Sequence, residues 1–71
     1  MMPLTLVGNG EEAMIQRIGG KPEARAHLEN LGFVACSTIT VISMVGGNLI
    51  VNVKGSRVAI SKEMATKIMV N

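Results

Sequence analysis

Residues Thr38 to Ile60 read TITVISMVGGNLIVNVKGSRVAI. Three runs rich in β-branched side chains alternate in polarity and are separated by two short turn signals, the pattern of consecutive antiparallel strands. In Thr38 to Val45, Ile39 and Val41 share one face and Thr40, Ile42 and Met44 the other. Gly46-Gly47 is a hairpin turn whose freedom at positive φ matches the strand twist. Leu49, Val51 and Val53 then alternate against Ile50, Asn52 and Lys54. A second tight turn at Gly55-Ser56 returns the chain through Arg57 to Ile60, with Val58 and Ile60 inward.

Upstream of this meander, Lys21 to Leu31 predicts an α-helix. Pro22 suits its first turn, where a missing N–H costs nothing, and Glu23 faces the positive end of the helix dipole. Ala24, Leu28 and Leu31 recur at helical spacing as one apolar stripe, leaving Arg25, Ala26 and Glu29 outside. Gly32 stands where a left-handed terminator belongs, and Phe33 is placed to fold back on the last turn. Before the helix, Glu12 to Ile18 reads as a strand with Ala13 and Ile15 on one face and Met14 and Gln16 on the other. Ile18 falls out of step with Ile15, which predicts a bulge or strand end. Pro3 to Val7, with Leu4 and Leu6 at period two, predicts a short first strand ahead of a Gly8-Asn9-Gly10 turn. Downstream, Ser61 is a suitable N-cap for a helical turn over Lys62 to Ala65, and Ile68 and Val70 close the chain as a last strand.

The whole chain is one small domain, residues 1–71. Area scaling gives about 10,900 Å² unfolded and about 4,300 Å² folded, near the lower limit for a domain without staples. Eight Val and seven Ile against five Leu favour a pleated, half-buried surface. The single Cys36 excludes an internal disulfide, and no apolar run approaches the ~20 residues of a membrane helix. Met1 to Val7 lacks the charged start and cleavage site of a secretory signal, so the expected setting is cytosolic and reducing. Short strands joined by tight turns, with one helix inserted, are best protected by closing into a small SH3-like barrel of five or six strands, the helix over one open end.

Residue chemistry narrows the function classes. Cys36 and His27 are the sole thiol and imidazole, and the chain has no Asp to orient a catalytic histidine. One His and one Cys fall short of the three or four converging ligands of a transition-metal site. The glycine pairs lack the GxxxxGK[ST] phosphate-loop pattern. Phe33 is the only aromatic residue and is committed to the helix cap, so the stacking platforms of single-strand nucleic-acid binders and the ring-lined grooves of proline-rich peptide binders are missing. The expectation is therefore no catalytic, metal or cofactor residue. What remains is surface: Lys54 and Arg57 flank one hairpin, and alternation turns Ile42, Met44 and Ile50 outward as an apolar strip.

The runs LENLGFVACSTITVI, LIVNVKGSRVAIS and EMATKIMV resemble the FeoA family, ferrous iron transport protein A. The shared pattern is a helix ending in Leu-Gly, a turn, two long strands, a Gly-x-Arg hairpin and a small-residue turn into a last strand. It covers Leu4 to Val70, with Leu28, Leu31, Gly32, Gly55, Arg57, Ala65 and Ile68 matching position by position. The chain departs from it at Ala35-Cys36, where the family usually carries Pro-Gly, which predicts a turn better suited to glycine. The resemblance implies a cytosolic SH3-like accessory protein of bacterial ferrous iron uptake, whose partner is the FeoB-type membrane transporter with its GTP-binding domain. It implies no enzyme activity, nucleic-acid binding or membrane insertion, and leaves weak self-association open. Candidate partner-binding residues are Lys54, Arg57, Ile42, Met44 and Ile50, with Arg57 at the Gly-x-Arg position. The alternative is the SH3-like module of iron-dependent repressors, or another small nucleic-acid-binding barrel.

Overall fold

The alternating runs form strands as their periodicity predicts. The computed structural model describes Met1–Asn71 as β1 (Met2–Pro3), a 3₁₀ turn (Leu4–Leu6), β2 (Glu12–Ile18), α1 (Pro22–Asn30), β3 (Thr38–Val45), β4 (Asn48–Val53), β5 (Ser56–Ser61), α2 (Lys62–Ala65) and β6 (Ile68–Val70). The six strands follow the order β1-β6-β2-β3-β4-β5, every neighbour antiparallel. Strand β2 joins the two halves: Glu12 to Met14 pair with β3, while Ile15 to Ile18 pair with β6. The expected bulge lies between Ile15 and Arg17, and the added twist of such an irregularity suits a strand that passes from one half-sheet to the other. The end strands β1 and β5 do not pair with each other, so the expected closure is partial.

The buried core is Leu4, Val7, Ile15, Ile18, Leu28, Phe33, Ile39, Val41, Leu49, Val51, Val53, Ile60, Ala65, Ile68 and Val70, with no polar side chain among them. No buried side chain therefore needs a hydrogen-bond partner. The accessible surface, 4116 Å², is close to the ~4,300 Å² that scaling predicts for this mass.

Helix α1 ends as its sequence implies. Gly32 takes φ 105°. Its N–H donates to Glu29 O at 3.0 Å, and the Phe33 N–H donates to Leu28 O at 3.0 Å, the two bonds of a Schellman motif. Leu28 and Phe33 are both fully buried, which completes the motif's apolar contact. Of the predicted stripe, Ala24 and Leu31 are only half-buried. The C-terminal turn thus carries most of the helix's docking energy. Ser61 caps α2 through its Oγ, which accepts from Met64 N at 3.2 Å.

Two local expectations are corrected. Pro3 to Val7 is not a continuous strand: after Pro3 the chain enters a 3₁₀ turn, closed by Val7 N–H to Leu4 O at 3.0 Å. An i, i+3 spacing lets one turn bury Leu4 and Val7 together, while Leu6 is left 68% exposed. Period two would have buried Leu4 with Leu6. The second hairpin turn is centred on Lys54-Gly55 instead of Gly55-Ser56. Lys54 (φ 51°) and Gly55 (φ 77°) are both left-handed, as a two-residue type I′ turn requires, and Val53 pairs with Ser56.

Candidate partner-docking surface

The one-residue shift of that turn places Arg57. Ser56 opens β5 opposite Val53, so Arg57 faces Asn52, Val58 faces Val51, Ala59 faces Ile50 and Ile60 faces Leu49. Val51, Leu49 and Ile60 are core residues, so alternation turns Arg57, Ala59, Asn52 and Ile50 to the outer face. Arg57, Asn52 and Ala59 are exposed, whereas Ile50 is half-buried. Arg57 and Ile50 are diagonal cross-strand neighbours, a separation long side chains can span. A guanidinium beside a partly covered aliphatic residue combines the two chemistries that anchor protein interfaces. Asn52 and Ala59 complete this patch: alternation turns both outward, and the turn frame decides which residue each one faces.

Lys54 is not beside Arg57 on that face. It occupies the turn, and a Cβ added at Gly32 would lie 3.8 Å from Lys54 Cδ and 3.7 Å from Val53 Cγ1. The lysine stem therefore runs past the C-terminal end of α1, where its charge complements the helix dipole.

The apolar strip Ile42–Met44–Ile50 does not form. Strand β3 carries a bulge at Ile42: Val41 pairs with Val51, but Ser43 pairs with Ile50 and Met44 with Leu49. One extra residue exchanges the faces of everything beyond it. Met44 is thereby put in register with buried Leu49 at the rim of the core, 42% exposed, and Ile42 is half-buried. Val45, paired with Asn48 beside the Gly46-Gly47 turn, is 60% exposed. Alternation gives no sign of the extra residue, so the exposure of Val45 is not legible in the sequence.

Cys36 is exposed in the turn after α1, and His27 is exposed on the helix. No three His, Cys, Asp or Glu side chains come together in a group that could hold a metal ion. The concave features are two shallow depressions, one along α2 at Lys62, Glu63, Thr66 and Lys67, the other against β2 at Glu12, Ala13, Met14, Thr38 and Asn71. No helix is long and apolar enough to cross a membrane.

Comparison with known proteins places this arrangement. The family model described as FeoA domain matches residues 2–71. A protein of Methanocaldococcus jannaschii named for Fe(2+) transport, transport protein A, is 36% identical over 70 residues, covering 99% of this chain and 85% of its own length. A crystal structure of an iron uptake regulatory protein, FeoA, superposes with a TM-score of 0.91 at 34% identity, covering 99% of this chain and 93% of that one. The zinc-complexed FeoA of Stenotrophomonas maltophilia, described as a prokaryotic SH3 domain protein, gives a TM-score of 0.85 at 23% identity over 100% of this chain and 91% of that one. The expected SH3-like architecture is therefore the one observed. A manganese-dependent transcriptional repressor shares the fold alone, with a TM-score of 0.91 at 19% identity, over 99% of this chain and 40% of the repressor.

Proposed function

Since the chain belongs to the FeoA family, we propose that it is a cytoplasmic accessory protein of ferrous iron uptake that works by binding the FeoB-type membrane transporter rather than by catalysis. The observation that carries this reading is the outer face of β4 and β5, where exposed Arg57 stands opposite Asn52 and diagonal to Ile50. An arginine presented on paired strands is held by the ladder while its guanidinium is free to take a carboxylate bidentately.

The test is a titration of the protein against the transporter's cytosolic GTP-binding domain, with and without GTP. Arg57→Ala should weaken binding by about 1–3 kcal/mol, the range for a charge-assisted bond. Its melting temperature should stay close to that of the parent, because an exposed strand residue outside the core contributes little to folding. Undiminished affinity in a folded variant removes Arg57 from the interface. The repressor-type alternative rests on the shared fold, and DNA binding that weakens steeply with added salt would favour it.

A further inference from the structure

We propose that the free edge of β5 takes up an extended, acidic segment of the partner protein as an added β-strand, a mode of docking that rests on the partner-binding reading above. The sheet has two ends, and they are not equivalent. One is β1, only Met2–Pro3, where the proline has no N–H to offer. The other is β5, six residues long, with no proline and no register shift against β4. Of the usual protections of an exposed edge, β5 lacks a proline, a bulge and a short length, and carries only the charge of Arg57, which repels a basic strand and attracts an acidic one.

The turn geometry identifies which backbone groups are free. A two-residue hairpin makes its first flanking pair, Val53 and Ser56, hydrogen-bonded, and the bonded pairs then recur at every second residue. Val58 and Ile60 accordingly bond to β4, and Arg57 and Ala59 direct their N–H and C=O groups away from it. None of the backbone bonds made outside the helices and ladders involves Arg57 or Ala59, and no side chain hydrogen-bonds to either backbone. Both residues are exposed, and the small Ala59 side chain leaves room for a neighbouring strand.

Charge selects the occupant. Residues 54–62 contain Lys54, Arg57 and Lys62 and no acidic residue. Two copies paired through β5 would bring these cations against one another, and like charges across strands are destabilising. An extended segment with carboxylates at alternate positions instead places one of them beside Arg57 while its backbone bonds to Arg57 and Ala59. Strand addition of this kind draws affinity from main-chain bonds and specificity from alternate side chains.

The experiment measures amide hydrogen exchange of the full chain by NMR, with an acetylated octapeptide alternating threonine and glutamate, with its threonine–lysine counterpart, and with the transporter's GTP-binding domain. The acidic peptide should slow exchange at the Arg57 and Ala59 amides by roughly tenfold or more, as new main-chain bonds form, and the lysine peptide should not. Ala59→Pro removes an outward N–H and leaves the β4 ladder intact, and should abolish the effect. Arg57→Glu should reverse the preference between the two peptides, and it keeps the test decisive should Ala59→Pro fail to fold. Amides left unprotected by the acidic peptide, or protected equally by both, overturn the proposal. Self-association abolished by Ala59→Pro overturns it too, in favour of a second copy. If the transporter domain binds and leaves both amides unprotected, strand addition falls and the docking reading stands. Protection by the peptide without any binding of the transporter domain has the opposite meaning.

Discussion

The backbone N–H of Cys36, a residue held at φ 72°, donates to the carbonyl of Ile15 at 2.8 Å. Ile15 N–H in turn donates to Ser37 O at 2.9 Å, so the turn after α1 is fastened to β2 at its bulge. Ser37 N–H closes the turn onto Val34 O at 3.2 Å. The fold therefore enforces a left-handed conformation at a residue whose Cβ opposes it.

Relief of that strain is the first expected outcome. A Cβ in the left-handed region costs on the order of 1 kcal/mol, partly offset in a Cys36→Gly variant by the greater freedom of glycine in the unfolded chain. Cys36→Gly should raise the melting temperature by a few degrees, given roughly 4–8 °C per kcal/mol for so small a domain. A lower melting temperature in a thermal scan would show that the exposed cysteine side chain contributes packing that outweighs its strain.

Lys54 holds the other left-handed non-glycine position, at φ 51° in the type I′ turn. Asparagine tolerates that conformation far better, and Asn-Gly is the preferred pair for this turn. Lys54→Asn should stabilise the domain by about 0.5–1 kcal/mol, less whatever the lysine stem gains beside Gly32. Chemical denaturation with an unchanged m value is the appropriate measurement, and a lower midpoint would mean that the stem matters more than the turn.

Phe33 is fully buried, the only ring in the chain and the closing contact of the Schellman motif. Truncating a buried Phe to Ala costs about 3–5 kcal/mol. A domain of 71 residues has roughly 4–10 kcal/mol in all. Phe33→Ala should therefore remove roughly half of the domain's stability, seen as a strongly lowered cooperative transition by circular dichroism. A loss under about 1.5 kcal/mol would show that the site collapses around the smaller side chain.

Anaerobic calorimetry with Fe(II) should detect no stoichiometric binding tighter than about 10 µM, because no three His, Cys, Asp or Glu side chains come together. Tight binding abolished by His27→Ala would contradict this and point to ligands gathered from more than one copy.

Much of the architecture was legible along the chain because it is written in local chemistry. Pro22 and Gly32 bracket α1, Gly46-Gly47 makes a turn with φ 56° and 82°, and Ser61 caps α2, each within a few residues of what it controls. Alternation likewise marks Ile39, Val41, Leu49, Val51 and Val53 as core, while the family likeness rests on the order of the elements and on Leu28, Leu31, Gly32, Gly55, Arg57, Ala65 and Ile68. The candidate docking surface was legible only in part. Arg57 is exposed, as alternation implies, but its neighbours depend on whether the turn is centred on Lys54-Gly55 or one residue later. The Ile42 bulge is equally silent, since a strand with an extra residue reads as unbroken alternation until its partner shows where the count fails. The same holds for Leu4 to Leu6, where burial beside β6 and α2 rather than periodicity decides the turn. Propensity and capping act between residues close in sequence, and the sequence by itself determines them. Register, bulges and the free edge of β5 are relations between strands, which exist only once the chain has folded.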